Sequence, residues 1–197
     1  MLLPGSRIAV EVERDSRAER RARSNRAFQR LLGKPAAIMR RPDGKPEVGN
    51  HALILPWEGG NLVTGTSDVS AAHSRDVTLA VAGPGTVACD LEPCAVRGAD
   101  VWRDLLSPAR WELAQLIARE TGQSETEAAT RIWVAGECLT KAEAVPTAPL
   151  VLEAPADTRA VVLHSGPFAI ATLVLPDRKG SEPFVVGLLA RREDACL

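Results

Sequence analysis

Three carboxylates and one lysine stand inside otherwise apolar runs of this 197-residue chain: Asp90 and Glu92 in VACDLEPC, Glu137 and Lys141 in RIWVAGECLTKAEA. Residues two apart on an extended strand point to one face, so Asp90 and Glu92 share a face while Leu91 turns to the other. Like charges at that distance raise a carboxyl pKa unless a cation lies between them. The donors are hard oxygens with no His or Cys at ligand spacing, which suits Mg2+ better than zinc. A D-x-E pair taken alone is equally what an exposed strand face carries. On a helix, Trp133, Glu137 and Lys141 fall at i, i+4 and i+8 and share one stripe. Glu followed by Lys at that spacing is also an ordinary ion pair, worth about 0.3–0.5 kcal/mol on an exposed helix. The flanking Ile132, Val134, Ala135 and Leu139 make this helix largely apolar, so part of its charged stripe is expected to line a cleft. Glu137 could there serve as a third metal ligand and general base, with Lys141 neutralising phosphate charge. His73, seventeen residues before Asp90, could donate to a phosphate oxygen.

The elements that must position these groups follow from pattern and turn chemistry. RIAVEVE, residues 7–13, alternates apolar and charged positions and reads as a strand with one wet face. Asp15 or Ser16 can cap a following helix that Gly33 ends, with Ala22, Arg26 and Arg30 on one stripe and Ala27, Leu31 and Leu32 toward a core. AAIMRRPDGKPEV reads as two short extended pieces around a Pro-Asp-Gly turn, and residues 51–56 and 61–65 as strands about Gly59-Gly60. Residues 77–82 and 86–91, joined by Gly83-Pro84-Gly85, read as a hairpin. Helices are expected over 98–106, over 107–121 with Ser107 as cap and Pro108 at the first position, and over 124–144 behind a Ser-x-x-Glu capping pattern. VLEA, RAVVLHSG, FAIATLVLP and PFVVGLLA close the chain as strands. Strands and helices do not alternate regularly, which favours α+β over a doubly wound parallel sheet. Two halves of comparable make-up are expected to meet near residues 95–105, giving lobes over 1–100 and 101–197.

With 45% hydrophobic and 25% charged residues, the chain can bury one sizeable core or two small lobes. No apolar run approaches the roughly 18 residues of a membrane span, and the start turns charged too early for a secretory signal, so a cytoplasmic protein with no membrane partner is expected. Cys89, Cys94, Cys138 and Cys196 form no CxxC pair, which points to reduced thiols. The net charge of −1 hides an asymmetry: residues 1–45 carry twelve Lys/Arg against five Asp/Glu, the rest twelve against twenty. So basic a segment suits a polyanion, either nucleic acid or a phosphorylated small molecule, although each arginine taken singly is more ordinarily part of a solvated helix face.

A basic helix, Gly44-Lys45-Pro46, His73-Ser74, Asp90-Leu91-Glu92 and Trp133…Glu137…Lys141, in this order, resemble the 4′-phosphopantetheinyl transferases of the surfactin type. The likeness spans roughly residues 17–145. It implies an α+β fold of two similar lobes in one chain, with coenzyme A and Mg2+ in the cleft between them. The implied reaction moves the phosphopantetheine arm of coenzyme A to a serine of an acyl carrier protein, releasing adenosine 3′,5′-bisphosphate. By resemblance, Asp90, Glu92 and Glu137 hold Mg2+ against the coenzyme A pyrophosphate. Glu137 takes the serine proton, directly or through a metal-bound water, and Lys141 steadies the departing phosphate. His73 contacts the coenzyme A phosphates, and Lys45 with one or more of Arg23, Arg26 and Arg40 supplies the remaining positive charge. The chain departs from the family pattern at Ala72, where many members carry Ser, and at Gly136 and Cys138 beside the implied base. The W-x-A-x-E-C-L-x-K wording is similar to the integrated transferase domains of enediyne-type iterative polyketide synthases, which implies a role in polyketide biosynthesis.

Two other classes compete. A Mg2+-dependent nuclease or phosphodiesterase also gathers acids and a lysine around metal, but its usual signature places the last acid and the lysine two apart on a strand, not four apart on a helix. Aromatics are 4% and tyrosine is absent, so base-stacking platforms are scarce and no nucleic-acid partner is expected. A non-catalytic carrier-docking domain would have no need of all three acids and the lysine. A serine hydrolase built on His73 or His164-Ser165 lacks a nucleophile elbow.

Overall fold

A computed structural model describes residues 8–32, 38–42, 44–48, 67–153, 160–176 and 182–192. The architecture is mixed α+β. Two compact units divide it: Met1–Cys89 with Ala190–Leu197, and Asp90–Leu189. The chain end returns to the first unit, with Arg191 N donating to Thr86 O at 3.2 Å. The expected strands at 51–56 and 61–65, the helix end at Gly33, and Cys196 lie outside the described residues.

In the first unit, strands β1 (Ala9–Arg14), β4 (Ser67–Ser74) and β5 (Val77–Pro84) form a sheet in the order β1-β5-β4, antiparallel throughout. Helix α1 (Arg20–Leu32) packs its Ala27, Phe28, Leu31 and Leu32 on Val69, Ala80 and Ala82, the core face expected from their spacing. The helix starts later than Asp15 or Ser16: Arg23 N bonds Glu19 O, and Asp15 Oδ1 instead accepts from Arg17 N at 2.9 Å. The two short strands β2 (Ile38–Arg40) and β3 (Pro46–Val48) pair as expected, closed by Gly44 N to Arg41 O with Gly44 at φ 86.

Strand β1 reverses the expected wet face. Val10 and Val12 are exposed, while Glu11 and Glu13 lie under α1. The reason is charge: Glu13 accepts from both Arg26 and Arg30, and Glu11 accepts from Arg30 at 2.6 Å, so the acids are drawn to the arginine stripe. Arg30 and then Arg26 hold the Glu13 carboxyl below its ordinary range.

The second unit carries α2 (Ala99–Leu106), α3 (Pro108–Thr121), α4 (Glu125–Lys141) and strands β7 (Val151–Leu152), β8 (Ala160–Ser165), β9 (Phe168–Leu175) and β10 (Phe184–Arg191). With β6 (Val87–Pro93) the strands form a sheet ordered β6-β10-β9-β8-β7. The hairpin expected of β5 and β6 does not form: Gly83 and Pro84 continue β5, which pairs with β1 and β4, while β6 takes β10 as neighbour. Ser124 caps α4 through a complete capping box with Glu127. Pro108 opens α3 as expected, but Ser107, at φ 69, makes no side-chain cap. No described helix is long and apolar enough to cross a membrane. Cys89, Cys94 and Cys138 are buried and form no disulfide; burial pushes the Cys94 thiol to about 11.

Candidate functional site

Strand β6 and helix α4 supply the acid group of the second unit. On β6, Asp90 is buried and Glu92 half-buried, with Leu91 buried on the alternate face. On α4, Ile132, Val134, Ala135, Cys138 and Leu139 are buried, which leaves Trp133, Glu137 and Lys141 as the half-buried stripe anticipated from spacing. Lys141 Nζ donates to Asp90 Oδ1 at 2.7 Å. The helix stops immediately beyond it. Glu143 N bonds Thr140 O, Ala144 N bonds Leu139 O, and Glu143 adopts φ 57, a Schellman closure with a glutamate where glycine is usual. Lys141 therefore occupies the final helical turn, with the chain turned away behind it.

Charge gathers at this point. Burial first, then the Asp90 carboxylate and then Glu137, push Glu92 above its ordinary pKa. Burial followed by Asp90 does the same to Glu137, against the opposing pull of Lys141. Asp90 Oδ2 is buried and has no hydrogen-bond partner. Leaving such a carboxylate oxygen unsatisfied in a protein interior is costly, and an ion is one of the few things that explains it. Among the described residues, no three His, Cys, Asp or Glu side chains already stand in a metal-ligating group. The donors are nonetheless all hard carboxylate oxygens, mutually repelling and with one orphan atom, a set that fits a hard divalent cation.

The first unit holds its own polar cluster around His73, on β4 opposite Thr78 of β5. His73 Nδ1 lies 2.9 Å from Thr78 Oγ1, which also accepts from Arg23 Nε at 3.2 Å. Arg23 is buried and further donates to the Asp15, Ala18 and Arg75 carbonyls. It braces the β4–β5 turn and orients the imidazole through Thr78, a residue that sequence reading missed because a buried threonine on a strand carries no outward signal. Arg26 is committed to Glu13 and Asp15. Arg40 donates to Ser24 Oγ and Gly44 O, and burial, then the nearby Arg21 charge, lower the pKa of its guanidinium. Lys45 lies 3.7 Å from Asp68. His164 pairs with Glu153 at 2.5 Å, and its neighbour Ser165 points to the other face of β8, so no His-Ser couple forms there.

No protein-family model and no curated protein matches the chain.

Proposed function

We propose that the chain is a 4′-phosphopantetheinyl transferase, moving the phosphopantetheine arm of coenzyme A to a serine of an acyl carrier protein. The supporting observations are the hydrogen bond from Lys141 to Asp90 across 51 positions, the electrostatic influence of Asp90 on Glu92 and Glu137, and the orphaned carboxylate oxygen of Asp90. In this reading Asp90, Glu92 and Glu137 would hold Mg2+, which when bound offsets the charge of the coenzyme A pyrophosphate. Glu137, its pKa raised by burial and the Asp90 charge, accepts the proton of the carrier serine as the hydroxyl oxygen attacks the phosphorus bearing pantetheine. One P–O bond forms to serine and the pyrophosphate P–O bond breaks, with adenosine 3′,5′-bisphosphate leaving. Lys141 carries the positive charge suited to the leaving phosphate. His73, Lys45 and Arg40 of the first unit are the proposed contacts of the coenzyme A phosphates, while Arg23 and Arg26 serve to hold that unit together. The resemblance further favours a carrier from polyketide biosynthesis and a fold of two similar lobes; in each unit helix accompanies sheet.

Intact-mass analysis tests the proposal. The chain, coenzyme A and Mg2+ should add one phosphopantetheine mass to an apo acyl carrier protein. The Glu137→Gln variant should slow this by about 100-fold or more while binding coenzyme A nearly as wild type does. No mass gain on any of a panel of apo carriers would count decisively against it.

A further inference from the structure

Thr78 joins two groups whose hydrogen-bonding roles constrain one another. His73 and Thr78 are direct cross-strand partners on β4 and β5, so their side chains share a face, and His73 Nδ1 lies 2.9 Å from Thr78 Oγ1. From α1, Arg23 Nε donates to the same hydroxyl oxygen at 3.2 Å. The guanidinium is held in that direction, because its other two nitrogens donate to the carbonyls of Asp15, Ala18 and Arg75 and the residue is buried. An arginine N–H only donates, so Thr78 Oγ1 is an acceptor on that side.

The hydroxyl hydrogen of Thr78 must then find its own acceptor. Thr78 is fully buried, and among the described residues Oγ1 has no hydrogen-bond partner besides Arg23 and His73. If His73 Nδ1 carried a hydrogen, Oγ1 would accept twice and its O–H would be left in the interior with nothing to meet. Buried donors are rarely left so. The O–H therefore points to Nδ1, which accepts it. An imidazolium bears hydrogens on both ring nitrogens, so the charged ring fails in the same way as the Nδ1–H tautomer. What remains is a neutral histidine with its hydrogen on Nε2.

We propose that Arg23 and Thr78 are positioning residues that hold His73 as a neutral Nε2–H imidazole, a fixed N–H donor for an anionic phosphate oxygen. The donors run one way, from Arg23 to Thr78 to His73 to the ligand. In the reverse sense, with Nδ1–H donating to Thr78, Nε2 would turn a lone pair on the phosphate and repel it. The phosphate ligand rests on the transferase reading, whereas the tautomer rests on the hydrogen bonds alone. Arg23 thus acts on the ligand without touching it.

Long-range proton–nitrogen NMR of the isotope-labelled full chain at neutral pH tests the proposal, with the His73 signals assigned by their loss in His73→Asn. Wild-type Nδ1 should show the shift of a bare nitrogen that accepts a hydrogen bond, and Nε2 that of an N–H. Thr78→Val removes the hydroxyl at nearly equal volume, and should move Nδ1 to the value of an unbonded nitrogen or mix the two tautomers. Thr78→Ser should restore the wild-type pattern. A merely structural threonine would alter stability and leave these shifts in place. Hydrogen on Nδ1 of the wild type, in a neutral or a charged ring, overturns the proposal, as do unchanged His73 shifts in folded Thr78→Val. Should Thr78→Val fail to fold, a wild-type Nδ1 lacking the hydrogen-bond shift overturns it instead. Calorimetry with adenosine 3′,5′-bisphosphate reads the ligand, which Thr78→Val should bind about three- to tenfold more weakly. Equal affinity despite an altered ring overturns the donor role of His73. An Nε2–H ring in a chain that binds no bisphosphate and modifies no carrier leaves the tautomer standing and sinks the transferase reading.

Discussion

Lys141 Nζ donates to Asp90 Oδ1 at 2.7 Å, tying the last turn of α4 to the middle of β6. This bond satisfies one carboxylate oxygen and leaves the other, Oδ2, buried without a partner. An ammonium and a divalent cation can share such a carboxylate, one on each oxygen, so the lysine both orients Asp90 and keeps the acid cluster from expanding under its own repulsion.

Asp90→Asn keeps the shape of the side chain and removes its charge. The amide still accepts from Lys141, while the cluster loses a third of its negative charge and the donor with the unsatisfied oxygen. Mg2+-dependent binding of coenzyme A should weaken by about 10- to 100-fold, the range seen when the surroundings of a bound metal are altered. Titrations with and without Mg2+ measure it, and a variant whose coenzyme A affinity keeps its full Mg2+ dependence would remove Asp90 from the proposed metal site.

Local chemistry was readable before the structure, and long-range pairing was not. The capping box of Ser124 and Glu127, the apolar face of α4, and the stripe of Trp133, Glu137 and Lys141 all follow from spacings within one helix. The bond from Lys141 to Asp90 does not: i, i+4 spacing points to Glu137, and nothing local signals a hydrogen bond to a strand 51 residues earlier. Gly83-Pro84-Gly85 carries the composition of a reversal, but turn composition says nothing of which strands are available to pair, and β10, a hundred residues on, takes the edge of β6. On β1 the alternation was visible and its sense was not. Which face of AVEVER is covered depends on the arginines of α1, whose pairing with Glu11 and Glu13 outweighs exposure of two valines.

The raised carboxyls set a pH signature. Glu92 and Glu137 hold their protons in the folded chain above the ordinary value of 4.5, through burial and the Asp90 charge. Between 4.5 and their folded values the native state binds more protons than the unfolded one, so their contribution to stability is full below 4.5 and is lost as the pH rises through that window. Glu13, held low by Arg30, acts in the opposite sense: its stabilisation is present above 4.5 and lost as the pH falls through its folded value. The double variant Glu92→Gln/Glu137→Gln removes the first effect alone. Its melting temperature relative to wild type should climb as the pH is raised from 4.5 toward neutrality, and saturating Mg2+ should shrink that advantage by stabilising the wild type. Parallel melting curves across the range would show that the two carboxyls titrate normally.

At Gly187 on β10 the sheet approaches α4 closely. A Cβ there would stand 2.4 Å from Val134 Cγ1 and 2.9 Å from Cys138 Sγ, so the missing side chain is what lets the helix carrying Glu137 and Lys141 seat at this depth. Gly187→Ala should cost about 1–3 kcal/mol, the usual range for overfilling a packed interior, seen as a lower urea midpoint at unchanged slope. The Val134→Ala background opens the nearer of the two contacts. There the same glycine substitution should cost less, by about 1 kcal/mol, because residues in direct contact do not contribute additively. Strict additivity in that double-mutant cycle would mean that α4 is not seated on Gly187 through Val134.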